Sequence, residues 1–329
     1  MKCINKRFVR VCSLLLVCSL CTISGTGCGE NRLEDAFEAD LPGIGIQTSE
    51  ESSKIPYFAS DLCVTDTDVQ DIEADTEDAL AACFFNLNEK KVLYAKNIHE
   101  RMYPASTTKI MTALVALDKG DLDAQTTVSK EAITFSESGV STAKLKEGDV
   151  LTLRQLLYAL LTVSANDAAN VIAEQIAGSQ DAFVEMMNQE AQKIGATNTH
   201  FVNANGLHSE DHYTTVYDLY LMFNAAMQHE EFLQMLQEKE YQASYQAADG
   251  TTVEAVWSTT NQFTKGDVTV PDGVTAVGGK TGTTTAAMSC LVQLFEDAQG
   301  EQYVAIILGC KERGILYQKM QTFLSNLNN

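Results

Sequence analysis

The sequence predicts a mixed α/β fold in which strands at both ends of the folded region enclose a helical middle. The run from Ala79 to Asn97 is typical of two strands around a polar turn at residues 86–90. Apolar residues with helical spacing then recur between Thr107 and Met227. Strand patterns return after Thr275, and a helical pattern closes the chain. This order favours one α+β domain of ordinary size.

Each predicted element has its own pattern of apolar residues. The helical patterns are Thr107–Leu117, Leu153–Val163, Asp167–Ala177, Asp181–Ile194, Val216–Met227 and Leu316–Leu327. The late strand patterns are Thr275–Lys280, Ser289–Phe295 and Tyr303–Cys310.

The first 28 residues are typical of an export signal. A basic start is followed by the apolar run Val11–Ile23, which has the length of a signal-peptide core. An uncleaved membrane anchor is the alternative. Small residues lead to Cys28 in a pattern similar to a lipoprotein processing site, although Gly25 stands where such sites prefer Leu. We therefore expect export, with lipidation of Cys28 or ordinary cleavage as the two routes.

Charge separates the next segment from the rest. The chain has 44 Asp and Glu against 23 Lys and Arg. In residues 29–78 acidic residues outnumber Arg32 and Lys54 with little apolar pattern, which predicts a flexible tether, with a short docked piece around Ile55–Val64, before a domain at 79–329. The net charge of −21 disfavours a nucleic-acid partner and favours membrane attachment only through the N-terminus, by lipid or signal anchor.

Four cysteines remain beyond the export signal. Cys63, Cys83, Cys290 and Cys310 form no CxxC or zinc pattern. The last three lie in apolar runs and are expected to be buried small hydrophobic residues. In an exported protein, a disulfide between two of these cysteines is the alternative.

A serine and a lysine three residues apart open the first predicted helix. Ser106 would lie at the positive end of the helix, with Lys109 on the same side of its first turn. A lysine shielded from water has a lowered pKa and can take the proton of a serine hydroxyl. A second Ser-x-x-Lys match, Ser141 to Lys144, is followed by polar residues rather than a helix and is set aside.

Two further clusters carry polar side chains suited to a peptide substrate. Ser164 and Asn166 lie between two helical patterns, where they would face a cleft or simply cap a helix. Lys280-Thr281-Gly282-Thr283 ends the late apolar run TAVGG, and its glycines leave room for a ligand beside the strand. The alternative there is a turn that closes an edge strand.

The order and spacing of these three clusters resemble the low-molecular-mass penicillin-binding D,D-carboxypeptidases, with their SxxK, SxN and KTG motifs. Segments such as PASTTKIMTALVAL, SANDAANVIAEQIAGS and HYTTVYDL are also similar to family sequences. The resemblance runs from about Leu80 to the C-terminus. It implies a transpeptidase-like fold, with a mainly antiparallel sheet flanked by helices and an all-helical subdomain that carries Ser164 and Asn166.

The resemblance implies a role for each motif residue. Ser106 would attack the carbonyl between two D-alanines, and Lys109 would be the general base. Ser164 would pass a proton to the leaving D-alanine. The remaining residues would bind substrate or the oxyanion: Asn166, Lys280, Thr281, Gly282, Thr283 and, by approximate position, Arg313. The family usually has Gly where Ala165 stands.

The same resemblance implies partners. Peptidoglycan stem peptides would be the substrates and β-lactams would acylate the enzyme, with no cofactor or metal. We expect a monomer.

The sequence offers three alternatives to a D,D-carboxypeptidase. A serine β-lactamase shares the motifs, but no Glu-x-x-x-Asn pattern follows Asn166, so we expect a long-lived penicilloyl-enzyme. A zinc site at His208 and His212 lacks the helix that such a pair needs. A non-catalytic lipoprotein that binds cell-wall peptides would not need an activated serine.

Overall fold

The computed structural model describes residues 59–327 of the protein. The predicted export signal with Cys28, and the first part of the predicted tether up to residue 58, lie outside the described residues. No helix between residues 59 and 327 has the combined length and apolar character that a bilayer crossing requires.

Ten strands form two antiparallel sheets in the described part of the chain. The larger sheet has the order β1-β3-β2-β10-β9-β8, and the smaller one the order β4-β5-β6-β7. The strands are β1 (Val69–Gln70), β2 (Ala81–Asn86), β3 (Lys91–Lys96), β4 (Gln125–Thr127), β5 (Val150–Thr152), β6 (Glu240–Gln246), β7 (Thr252–Ser258), β8 (Thr275–Thr284), β9 (Met288–Glu296) and β10 (Gln302–Cys310).

Eight α-helices accompany these strands between residues 59 and 327, and a short 3₁₀ turn at Ala105–Thr108 leads into the first. They are α1 (Lys109–Lys119), α2 (Leu153–Leu161), α3 (Asn166–Ala177), α4 (Gln180–Lys193), α5 (Val216–Ala226), α6 (Glu230–Gln237), α7 (Gln262–Lys265) and α8 (Arg313–Leu324). The predicted α+β class and its antiparallel sheet are confirmed.

The larger sheet lies between two apolar cores. Cys83 and Phe85 of β2 face the core shared with α1 and α5, whereas Phe84 faces the opposite core. There the ring of Phe84 stacks on that of Phe323 in α8 at 5.3 Å between centroids. Because both faces are covered, the inner strands are continuous apolar runs rather than alternating ones.

The smaller sheet was not predicted, and it accompanies the helices α2, α3 and α4. Its strands β4 and β5 have three residues each, too few to show a period of two. The hairpin of β6 and β7 does alternate, since Ala243 and Tyr245 are buried between exposed neighbours. The region that carries Ser164 and Asn166 is therefore helical with a sheet attached.

The described part of the predicted tether, residues 59–78, packs on the domain. Cys63 is fully buried, and β1 pairs with β3. Carboxylates of this segment pair with lysines of the domain: Asp61 with Lys90, Asp71 with Lys91, Asp75 with Lys319 and Asp78 with Lys311. The folded part therefore begins earlier than the predicted residue 79, because acidic composition alone does not show that the charges have partners.

Helix α1 is buried on every side at its N-terminal two turns, including Lys109. It packs against α2, α3, α4 and α5, so it forms the centre of the helical region. A helix that is surrounded in this way places its first turn rigidly relative to all its neighbours. The 3₁₀ turn with Ser106 is continuous with that first turn.

A buried histidine holds the 3₁₀ turn. His212 accepts the backbone N–H of Val202 at Nδ1, so its proton lies on Nε2, which contacts the Thr108 hydroxyl at 2.8 Å. That hydroxyl donates in turn to the carbonyl of Ala105 at 2.8 Å. Burial, with the nearby charges of His200, His208 and Lys109, lowers the pKa of His212 to about 3.

The low pKa of His212 predicts a specific loss of stability in mild acid. Below pH 6.5 the unfolded histidine takes up a proton that the folded one does not accept until about pH 3. This costs about 1.4 kcal/mol of unfolding free energy for each pH unit in that window. Urea unfolding between pH 7 and pH 5 should show this slope in the native protein and not in His212→Gln.

His208→Gln provides the matched control, because His208 is exposed and lies four residues away. The expected slope should persist in that variant. A slope of the native protein equal to that of His212→Gln would show that the His212 imidazole is not the titrating group.

Candidate active site

The candidate nucleophile Ser106 lies in a strained turn. Ala105, just before it, has φ +49°, a left-handed conformation that residues with side chains seldom adopt. Gly206 packs on this turn, and a Cβ there would be 2.0 Å from the Ala105 carbonyl oxygen. The turn and the Gly206 backbone are thus in direct contact, and a side chain at Gly206 would displace the serine.

The amino group of Lys109 lies 3.0 Å from the Ser106 hydroxyl. Its other contacts are the Asn166 side-chain oxygen at 2.6 Å and the Asn205 carbonyl oxygen at 2.5 Å. A neutral amine has two N–H groups and one lone pair. Since two acceptors take the two N–H groups, the lone pair of a neutral Lys109 points at the serine proton.

The surroundings of Lys109 favour this neutral form. Burial lowers the pKa of its ammonium well below the ordinary value, and the nearby charge of Lys280 lowers it further. The carboxylate of Asp167 acts in the opposite direction. Asp167 accepts three backbone N–H groups, from Ala143, Leu145 and Ala168, and makes no hydrogen bond to Lys109.

Ser164 and Lys280 form a second hydroxyl-amine pair. Lys280 Nζ donates to the Ser164 hydroxyl and to the Thr281 carbonyl, both at 2.9 Å. Ser164 has φ +61°, so its backbone too is held in the left-handed region. Burial lowers the pKa of Lys280 to about 7, with a smaller contribution from the charge of Arg313.

Asn166 is the first residue of helix α3. It contacts Lys109 of the first pair and lies two residues after Ser164 of the second. Its oxygen is occupied by Lys109, whereas its side-chain NH₂ has no hydrogen-bond partner among residues 59–327. Its backbone N–H donates to the Ser141 carbonyl at 2.8 Å. The amide nitrogen is therefore available to a carbonyl group of a ligand.

The end of strand β8 forms the opposite wall. A Cβ on Gly282 would lie 2.9 Å from the Pro104 carbonyl and 3.1 Å from the Ser106 nitrogen, so glycine permits the strand to approach the nucleophile. The Thr281 hydroxyl contacts that of Thr260 at 2.6 Å. Arg313, the first residue of α8, donates to the Thr283 hydroxyl at 3.3 Å.

All of the predicted site residues meet in this cleft. Arg313, placed only by approximate position in the sequence, joins them through Thr283. The site places the basic side chains of Lys280 and Arg313 beside the neutral amine of Lys109, in a chain of net charge −21. Such a cluster favours an anionic ligand.

Three further residues contribute to the site and were not predicted from the sequence. The Asn205 carbonyl holds Lys109, the Thr260 hydroxyl supports Thr281, and Ser141 contacts the Ser164 loop. Asn205 lies in the turn-forming run Asn203–Gly206, which could have marked it as a special backbone position. Nothing in the local sequence marks Thr260.

The histidine pair does not form a metal site. The Nε2 atom of His212 is hydrogen-bonded to the Thr108 hydroxyl, and the ring of His208 packs edge-on against Tyr103 at 4.6 Å between centroids. No group of three His, Cys, Asp or Glu side chains suited to a metal occurs in the part of the chain that the structure describes.

A wide hollow lies away from these residues. It has a volume of about 750 Å³ and lies at the start of β8, lined by residues such as Phe263, Val270 and Thr275. It contains none of the paired serines and lysines.

Comparisons with known proteins agree with this geometry. A sequence model of the D-alanyl-D-alanine carboxypeptidase family matches residues 68–312. D-alanyl-D-alanine carboxypeptidase DacF of Bacillus subtilis is 33% identical over 254 residues, which are 75% of this chain and 62% of the relative. DacB2 of Mycobacterium tuberculosis, another D-alanyl-D-alanine carboxypeptidase, is 35% identical over 231 residues, 70% of this chain and 74% of the relative.

A solved structure shows the same architecture. The crystal structure of the Streptomyces K15 DD-transpeptidase superposes with a TM-score of 0.71 at 28% identity, covering 77% of this chain and 98% of that one. The chain spans 62% of the length of DacF and of its Escherichia coli relative DacC. From the family match and these relatives, the chain belongs to the D-alanyl-D-alanine carboxypeptidase family.

Proposed function

We propose that the protein is a serine D-alanyl-D-alanine carboxypeptidase that removes the terminal D-alanine from peptidoglycan stem peptides and is acylated by penicillin. The observation that carries this proposal is the contact between Lys109 Nζ and the Ser106 hydroxyl. Both N–H groups of the neutral amine are occupied, so its lone pair is available to the serine.

Acylation follows from this geometry. Ser106 Oγ attacks the carbonyl carbon between the two D-alanines while its proton moves to Lys109 Nζ. The backbone N–H groups of Ser106 and Thr283 would receive the developing oxyanion, an interaction worth about 3 kcal/mol per donor in acyl-transfer enzymes. The close approach permitted by Gly282 supports this pairing.

The leaving group is handled by the second pair. When the C–N bond breaks, the amine of the departing D-alanine needs a proton, and Ser164 can relay one from Lys280. The carboxylate of that residue would be bound by Lys280, Thr281, Thr283 and Arg313. Water then attacks the ester on Ser106 and releases the shortened peptide.

A β-lactamase is a weaker alternative. Within residues 59–327, the hydroxyls of Ser106 and Ser164 pair with the amines of Lys109 and Lys280. The other partners of these two lysines are one side-chain amide and two backbone carbonyls, with no carboxylate. A carboxylate that activates the deacylating water is the feature that class A enzymes need. We therefore expect the penicilloyl ester to persist.

Gel labelling with fluorescent penicillin tests the proposal. The native protein should give a stable band, and Ser106→Ala should give none, because the variant lacks the hydroxyl that lies 3.0 Å from the Lys109 amine and is the proposed nucleophile. Ser325→Ala, at the far end of α8, serves as the matched control and should label like the native protein. Equal labelling of Ser106→Ala, or no release of D-alanine from a peptide by the native protein, would contradict the proposal.

Arg313 is expected to contribute to binding of the substrate carboxylate. Arg313→Gln should lower kcat/KM for a peptide ending in D-alanyl-D-alanine about tenfold, since one charge-assisted contact is lost from an exposed position. Lys311→Gln is the control, because Lys311 pairs with Asp78 instead of the cleft. Equal effects of both substitutions would indicate a general loss of positive charge rather than a contact.

We also propose that the protein is exported and attached to the membrane through a lipid on Cys28, and that it acts as a monomer. The support is the basic and apolar start of the sequence and the small residues before Cys28. Metabolic labelling with palmitate should mark the full-length protein and not Cys28→Ala, whereas Cys21→Ala should still be marked. Labelling that survives Cys28→Ala would exclude this attachment.

A further inference from the structure

A hollow of about 460 Å³ lies beside the Ser164 loop and takes no part in the chemistry above. Its walls include Thr142, Ala143, Lys144, Val163, Val256 and Trp257. Val163 directly precedes Ser164, and Trp257 lies near the end of strand β7, three residues before Thr260, whose hydroxyl contacts that of Thr281. The hollow therefore adjoins the cleft on both of its walls.

The segment that carries Lys144 is fixed to the catalytic loop. The two oxygens of Asp167 accept the backbone N–H groups of Ala143 at 2.9 Å and Leu145 at 3.1 Å, on either side of Lys144. The Ser141 hydroxyl donates to the Val163 carbonyl at 2.6 Å. This lysine is held at a set position relative to Ser164, unlike one on a loose surface loop.

The backbone of Lys144 is strained. Its φ of +63° lies in the left-handed region, where a non-glycine residue costs on the order of 1 kcal/mol. Such strain persists only where the surroundings impose it, and the flanking hydrogen bonds to Asp167 do so here. A conformation that is imposed on an exposed residue beside a cleft points to a function of its side chain.

The side chain of Lys144 is exposed and makes no ion pair within residues 59–327. This is notable in a chain in which acidic residues outnumber basic ones 44 to 23. Next to the lysine the hollow is apolar, with Val163, Trp257 and the 58% exposed Val256. An apolar wall beside a cation fits an aliphatic chain that ends in a carboxylate and disfavours one that ends in an ammonium.

We propose that Lys144 binds a carboxylate on the side chain of the residue that precedes D-alanyl-D-alanine in the substrate. This inference rests on the proposed function, and it makes that residue a determinant of specificity. Among the residues upstream of the cleaved bond, it is the nearest one with a long side chain. Since Val163 of the hollow directly precedes Ser164 of the cleft, that side chain would pass Ser164 to enter the hollow.

Three peptides test this assignment. They have the form acetyl-X-D-alanyl-D-alanine, where X is L-2-aminopimelate, its side-chain amide, or L-norleucine. The native protein should show a kcat/KM about fivefold higher for the carboxylate peptide than for the amide, the scale of a partly exposed ion pair. Lys144→Gln should bring this ratio to about one, and Lys144→Glu should reverse it.

Lys146→Gln is the matched control, because Lys146 is an exposed lysine two residues away that does not line the hollow. Its carboxylate-to-amide ratio should equal that of the native protein. A ratio of one in the native protein, or an unchanged ratio in Lys144→Gln, would overturn the assignment. If the carboxylate-to-amide ratio also fell to one in Lys146→Gln, the preference would arise from the general positive charge of this surface, and the assignment would be overturned.

A second measurement separates this inference from the proposed function. The rates of acylation by two penicillins, whose side chains end in a carboxylate or in the matched amide, require an acylatable serine but no peptide hydrolysis. If no peptide is hydrolysed, the proposed function fails, and the penicillins still test Lys144. Faster acylation by the carboxylate form in the native protein and not in Lys144→Gln supports the assignment, and equal rates in the native protein overturn it.

Discussion

The burial of the Lys109 amino group beside Ser106 is the constraint on which the rest of the structure depends. An amine with no exposure to water requires acceptors at fixed positions, and these come from the Asn166 side chain and the Asn205 carbonyl. Helix α3, the turn before Gly206 and the central helix α1 must therefore meet at one point. The strained turns at Ala105 and Ser164 lie where these elements converge.

A second buried lysine makes the cleft a coupled electrostatic unit. Burial lowers the pKa of both lysines, the charge of Lys280 lowers that of Lys109 further, and the charge of Arg313 lowers that of Lys280. A substrate carboxylate that enters the cleft would relieve this repulsion. Binding of the carboxylate and proton transfer are thus linked through the charges of these side chains. The Asp167 carboxylate is hydrogen-bonded to backbone N–H groups, so it does not pair directly with the lysines.

The sequence predicted the elements with long apolar patterns and the residues within compact motifs. Helix α1 and strands β2, β3, β9 and β10 were found because burial on most sides leaves a continuous signal. Strands β4 and β5 are too short to show a period. A docked piece was expected at residues 55–64, but the packing of residues 65–78 could not be predicted, because the lysines that pair with its carboxylates are distant in sequence. The turn Asn203–Gly206 is visible in the sequence, whereas the contact of the Asn205 carbonyl with Lys109 is not, since residue type does not show what a backbone oxygen contacts.

Strand β1 has only two residues, yet it covers an edge of the larger sheet that would otherwise present unpaired N–H and C=O groups. Exposed edges of this kind recruit strands from other molecules and lead to aggregation. The other edge, β8, must stay open because it forms a wall of the cleft. The short acidic segment that contains β1 therefore protects this side of the larger sheet, and β8 on the other side of the same sheet remains able to pair with an extended chain.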